Sequence, residues 1–263
     1  MKKSILTSII ILLTLMGCSR VPITGRKQFN IIPKNTLLSQ SFNSYNSFLN
    51  ENKVIKNTKD AILVKKVGNR IKNSVINYMK QKGLSKELES FKWEFNLVES
   101  NDINAWCMPG GKVVFYTGIL KYTMNEAGIA TVMGHEIAHA IAKHGAERMS
   151  QTLVKSFGGL ALNEFMEQKG VEGRNYWMAA YGAGTSLGFS LPFSRLHETE
   201  ADNLGLVFMA MAGYNPNEAV KFWERMSKGK SGGSPEFLST HPSHKTRIKN
   251  LKKEIPKVMK YYN

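Results

Sequence analysis

The stretch TVMGHEIAHAIAKH, residues 131–144, places His135, Glu136 and His139 as HExxH inside a run patterned as an α-helix. At about 100° per residue, positions i and i+4 share one helical face, so the two imidazoles can point at a single ion. Glu136 lies beside them, placed to take a proton from water that the ion polarises. The chain has only 6 His among 263 residues, so a random HExxH is expected on the order of once per hundred such chains. The surrounding GIATVMGHEIAHAIA is too apolar for a solvated helix. Its histidines are expected inside a core, where an unpaired imidazole needs a partner. The pattern predicts one catalytic Zn2+ per chain.

Such a zinc takes three protein ligands and keeps one open position. The extended motif HExxHxxGxxH is absent, because Ala142 and Gly145 stand at its last two places. His144, nine residues after His135, extrapolates to the opposite helix face and is expected as a cap or surface residue. A better source is SRLHETEADNLGLVFMAMAG, residues 194–213, whose Leu204, Val207, Phe208 and Met211 form an apolar stripe. Glu198 and Asp202 are i and i+4 on a common face, whereas Glu200 points away from both. Spacing thus suggests Glu198 on the metal and Asp202 holding a ligating imidazole by its other nitrogen. It equally allows three acids at a solvated helix N-terminus, favoured there by the helix dipole.

HEIAHAIAKHGAERM, then SRLHETEAD about 60 residues later, then STHPSHKTRIKNL, resemble the M48 family of zinc metallopeptidases. NAWCMPGGKVVFYTGIL resembles the family's NAxxxPGG stretch, and PITGRKQFNIIP the start of its bacterial lipoprotein members. The likeness spans roughly residues 20–255 and is to the Oma1-like branch with a soluble catalytic domain. It implies a mainly α-helical, zincin-like α+β domain with a small β-sheet beside the HExxH helix. It also implies His135, His139 and Glu198 as ligands, Glu136 as catalytic base and Asp202 as assisting acid. His241 and Arg247 match the family's HPxxxxRI pattern. Either is a candidate for stabilising the oxyanion, and His241 is also a candidate fourth ligand that masks the zinc.

The N-terminus, MKKSILTSIIILLTLMGCSR, has the layout of a secretory signal: two lysines, an apolar run from Ile5 to Met16, then Gly17 and Cys18. The run is too short to span a bilayer. Leu15 to Cys18 resemble a bacterial lipobox, so Cys18 is expected to carry lipid. Residues 1–17 are then the signal peptide, 18–35 a lipid-anchored segment and 36–263 a single peptidase domain. The expected location is the cell envelope, on the periplasmic face of the outer membrane. Cys107 remains alone, and no disulfide can form within the chain.

With 42% hydrophobic residues the chain can bury a core in one domain. The net charge of +16 falls to +14 without residues 1–17, which hold two lysines and no acid. A basic surface favours anionic partners. A lipid-tethered protein meets membrane first, and no motif supports nucleic acid.

Residues 36–50 and 59–81 read as amphipathic helices and FKWEFNLVES as a strand. A hairpin follows, turning at Pro109, Gly110 and Gly111. Residues 104–117, including Asn104, Ala105, Gly110 and Gly111, are the candidate edge strand for binding extended substrate. The uncharged stretch 175–194 is expected to pack beside the site rather than span a membrane, since glycines and hydroxyls dilute it. Together these features point to an endopeptidase acting on unfolded or misassembled membrane and envelope proteins. The rival reading is a zinc lipoprotein that binds clients with little turnover.

Overall fold

The computed structural model describes residues 18–168, 191–228 and 244–262, together with Asn175, Met178, Phe237 and His241. The chain opens with a short antiparallel pair, β1 (Cys18–Arg20) and β2 (Lys27–Phe29). Next come α1 (Lys34–Glu51), β3 (Val54–Ile55) and α2 (Lys59–Gln81). Strands β4 (Glu94–Val98), β5 (Ala105–Met108) and β6 (Lys112–Tyr116) follow. The helices after them are α3 (Leu120–Thr123), α4 (Glu126–Ile141), α5 (His144–Gln168), α6 (Leu191–Met211), α7 (Asn217–Lys228) and α8 (His244–Val258). This is the mainly helical α+β architecture expected from the sequence.

The sheet runs β3-β4-β6-β5, with β4 and β6 parallel and β5 and β6 an antiparallel hairpin. Its alternation is two-sided. Phe95, Leu97, Val113, Phe115 and Ala105 face the main core with α2 and α4. Val98, Val114, Trp106 and Met108 face Tyr45 and Phe48 of α1. Both faces are therefore covered, and the sheet supports α4 from below rather than standing open to water.

The candidate substrate segment 104–117 divides accordingly. Strand β5 forms one edge of the sheet, opposite β3, while β6 is interior. Gly110 and Gly111 are turn residues with φ +86° and +83°. Their carbonyls already accept from the backbone N–H of Lys92 and Glu94. A side chain at either would collide with Phe42 or Trp93. Their role here is to close the hairpin.

Helix α4 starts at Asn125, whose side chain accepts from Gly128 N at 2.9 Å. It ends at Ile141, and Lys143, at φ +60°, turns the chain into α5. Helices α4 and α6 pack at close quarters. A Cβ on Gly134 would lie 2.9 Å from Gly205 O, and one on Gly205 3.0 Å from His135 N. Two residues without side chains thus let α6 approach the very turn that carries His135.

The N-terminal residues 18–35 pack onto this body: Val21 lies in the main core and Gln28 is buried. No helix among the described residues is long and apolar enough to cross a membrane. Residues 1–17, almost all of the uncharged stretch before Leu191, and the Gly/Ser run 229–236 lie outside the described residues.

Candidate metal centre

His135, Glu136 and His139 are all buried on α4. Helix α6 supplies Glu198, and His241 comes from the segment before α8. One atom from each of His135, His139, Glu198 and His241 converges on a single point. His139 Nε2 is 3.0 Å from His135 Nε2. His135 Nε2 is 3.3 Å from Glu198 Oε2 and 3.3 Å from His241 Nδ1. His139 Nε2 lies 3.3 Å from Glu198 Oε1, and His241 Nδ1 2.8 Å from Glu198 Oε2. Ligands about 2.0–2.1 Å from a tetrahedral zinc stand roughly 3.3–3.4 Å apart, so the quartet is close to that size.

Protonation strengthens the case. His135 Nδ1 lies 3.1 Å from Asp202 Oδ1. A carboxylate accepts only, so a proton on Nδ1 toward Asp202 leaves the Nε2 lone pair toward the centre, while Arg247 Nη2 lies against the same ring, 2.8 Å from Nδ1 and 3.0 Å from Nε2. Burial pushes the His139 imidazole well below its ordinary pKa, against the opposing pull of Glu198, so it is neutral. Burial also opposes ionisation of Glu198, yet the imidazoles of His135, His139 and His241 hold its carboxyl well below the usual carboxylate range. Glu198 Oε1 and Glu136 Oε1 are buried without a hydrogen-bond donor. Two buried carboxylate oxygens thus lack donors among these residues, a deficit that a cation beside them would resolve.

Arg247 stands behind the carboxylates. It donates to Asp202 Oδ1 at 2.6 Å and to Glu198 Oε2 at 3.0 Å, and its guanidinium stacks on Trp223 at 3.7 Å. Its Nη2 also lies against both ring nitrogens of His135, so the geometry ties it to orienting the acids and the imidazole of the site more than to a reacting oxygen. Glu136 is buried with its Oε1 3.4 Å from His241 Nε2. Burial pushes its carboxyl up to about 7, with His241 opposing and Glu198 adding to the rise.

Two sequence expectations change. The three acids of α6 are buried rather than a solvated helix start. His144 is neither cap nor surface residue: it is fully buried, and its Nδ1 lies 2.8 Å from His139 Nδ1. Because α4 stops at Ile141 and Lys143 reverses the chain, the helical extrapolation fails there.

Sequence reasoning also missed a second polar cluster. Arg26 binds Glu147 at 2.7 Å and Glu200 at 2.8 Å. Glu147 also meets His197 Nε2 at 2.9 Å and Gln28 Nε2 at 3.3 Å. Glu200 accepts from Thr24 and lies 3.0 Å from His144 Nε2. His144 and His197 stack at 4.2 Å. The only linear signal was the presence of Arg26 and Glu147 within stretches already conspicuous for other reasons.

Residues 66–255 match the family model Peptidase family M48. The mitochondrial metalloendopeptidase OMA1 of Saccharomyces cerevisiae is 38% identical over 183 residues, 66% of this chain and 50% of that protein. The mitochondrial metalloendopeptidase OMA1 of Bos taurus is 30% identical over 248 residues, 91% of this chain and 46% of that protein. The beta-barrel assembly-enhancing protease of Escherichia coli is 30% identical over 165 residues, 59% of this chain and 33% of that protein. The chain thus spans half or less of the length of these relatives.

Proposed function

The chain belongs to peptidase family M48, and we propose that it is a zinc-dependent endopeptidase whose ligands are His135, His139 and Glu198 and whose general base is Glu136. The observation that carries this reading is the convergence of four buried ligand-type atoms, from His135, His139, Glu198 and His241, beside a Glu136 carboxylate oxygen that lacks a hydrogen-bond donor. A zinc there would supply Lewis-acid polarisation of the scissile carbonyl and of water. Glu136 takes the proton of the attacking water and returns it to the leaving amine. Its raised pKa in the metal-free site suits a group that must both accept and release a proton, and a neighbouring cation draws that pKa down. Asp202 fixes the His135 tautomer, and Arg247 keeps Asp202 and Glu198 in place.

His241 Nδ1 lies among the other ligand-type atoms and would fill the fourth position, an arrangement that favours masking over oxyanion stabilisation. The substrate would approach along β5, the edge strand beside α4. The signal-like N-terminus and Cys18 support a lipid-anchored place in the bacterial envelope, on the periplasmic face of the outer membrane. The likeness to an E. coli protease named for β-barrel assembly supports misfolded or unassembled envelope proteins as substrates.

Glu136→Gln tests the reading. Cleavage of an unfolded protein should fall by roughly two to four orders of magnitude while the chain keeps its zinc, read by turnover and metal analysis on one sample. Wild-type turnover in Glu136→Gln would remove the base from the mechanism. Client binding without turnover in the wild type would favour the binding-protein alternative.

A further inference from the structure

Among the described residues, the cluster around Arg26 meets the metal centre at the contact between His144 and His139. We propose that Arg26, Glu200 and His144 form a hydrogen-bond relay that sets the tautomer and orientation of His139, so that the N-terminal segment 24–28 is a working part of the metal centre. The inference rests on the reading of His135, His139 and Glu198 as ligands.

The direction of each bond follows from which atoms can only accept. Glu200 Oε2 is a carboxylate oxygen 3.0 Å from His144 Nε2, so Nε2 carries the proton of that imidazole. His144 is fully buried, and an imidazole whose proton sits on Nε2 accepts at Nδ1. That acceptor lies 2.8 Å from His139 Nδ1, which must then be the donor. His139 is left with its lone pair on Nε2, the atom in the ligand quartet. A single tautomer is thus imposed on the ligand from three residues away.

Arg26 makes the carboxylate end of the relay dependable. It donates Nε to Glu200 Oε2 at 2.8 Å and meets both oxygens of Glu147, at 3.1 and 2.7 Å. Thr24 donates to the other Glu200 oxygen. Gln28 donates to Ala142 O at 3.0 Å, which ties the same segment to the end of α4. Each of these donors lies more than 110 positions before its partner, so the segment is held by tertiary contacts alone. Without Arg26, Glu200 would be a buried acid beside a neutral imidazole, and its charge would be costly to keep.

The test is zinc affinity of the full chain, measured by competition with a chromophoric chelator. Changing such an outer partner of a ligand typically costs about 10–100-fold. His144→Ala, Arg26→Gln and the shape-conserving Glu200→Gln should each weaken zinc by a factor in that range. His144→Asn, which restores an acceptor near the Nδ1 position, should recover most of the loss. Nitrogen-15 spectra of the zinc-loaded wild type should show His139 protonated at Nδ1. Wild-type zinc affinity in folded His144→Ala and Glu200→Gln would overturn the relay, as would a His139 protonated at Nε2. A wild-type chain that takes up no zinc would instead overturn the metal site, and the relay with it.

Discussion

Two buried polar clusters meet at His139 and are wired in opposite ways. Around Arg26, Glu147, Glu200, His144 and His197, donors face acceptors, and the arginine spans both acids. At His135, His139, Glu198 and His241, ligand-type atoms lie within 4.8 Å of one another, and two carboxylate oxygens at the site lack donors. The first arrangement pairs its charges internally and stabilises the fold. The second leaves carboxylate oxygens that a cation would satisfy, and that difference separates a structural network from a candidate metal centre in chains equally rich in His and Glu.

The largest expected effect comes from breaking the unbalanced cluster. Glu198→Ala removes its anionic ligand and should weaken zinc by roughly three orders of magnitude or more, measured by chelator competition. Thermal stability of the metal-free chain should fall much less than zinc affinity. Equal loss of both would mean that the two clusters do not differ in kind.

Glu147→Ala attacks the balanced cluster. It leaves Arg26 and His197 facing a void, and removing one partner of such a buried pair costs about 3–5 kcal/mol. Urea unfolding of the chelator-treated chain should show that loss. A change below about 1 kcal/mol would place the network among decorative ion pairs.

Acid provides a third probe. Glu147 and Glu200 are buried, but His197 with Arg26, and His144 with Thr24 and Arg26, hold their carboxyls down to about 2. The unfolded chain binds protons near pH 4.5 that the folded network refuses. Their contribution, on the order of 3 kcal/mol each at most, is therefore present above 4.5 and is lost as pH falls toward 2. His144, held at about 4, begins a similar loss below its unfolded value of 6.5. Glu136 acts oppositely between 7 and 4.5, because its folded carboxyl takes the proton first. His139, also held well below 6.5, adds to the loss from His144, so with Glu136 offsetting only one of them metal-free stability should fall moderately from pH 7 to 4.5 and more steeply below. A steep drop confined to pH 7–5 would contradict this assignment.

The smallest effect concerns the fourth member of the unbalanced cluster. With masking, His241→Ala should raise turnover of a small unfolded substrate by a few-fold to about tenfold, since one position at the metal opens. A fall of a hundredfold or more would assign His241 to the oxyanion instead.

Much of the metal centre is local and hence readable along the chain. The i, i+4 spacing puts His135 with His139, and Glu198 with Asp202, on common faces whatever the rest of the protein does. Alternation likewise foretold the strands and the hairpin, because both follow from period and turn chemistry. His144 was misplaced because one residue in a left-handed conformation, Lys143, ends the periodicity on which the extrapolation relied. Glu200 read only as the acid off the metal face; the partner it turns to is more than 170 residues away.

The sequence by itself determined the chemistry available: two imidazoles and a base on one apolar helix, an acid pair on another, and alternating strands to support them. Tertiary structure alone decided which of the six histidines converge, how closely α6 approaches through Gly134 and Gly205, and that Arg26 closes the network behind His139. The reason is physical: helical and strand periods repeat over a few residues, whereas a buried charge is satisfied by whatever partner the folded chain brings to it.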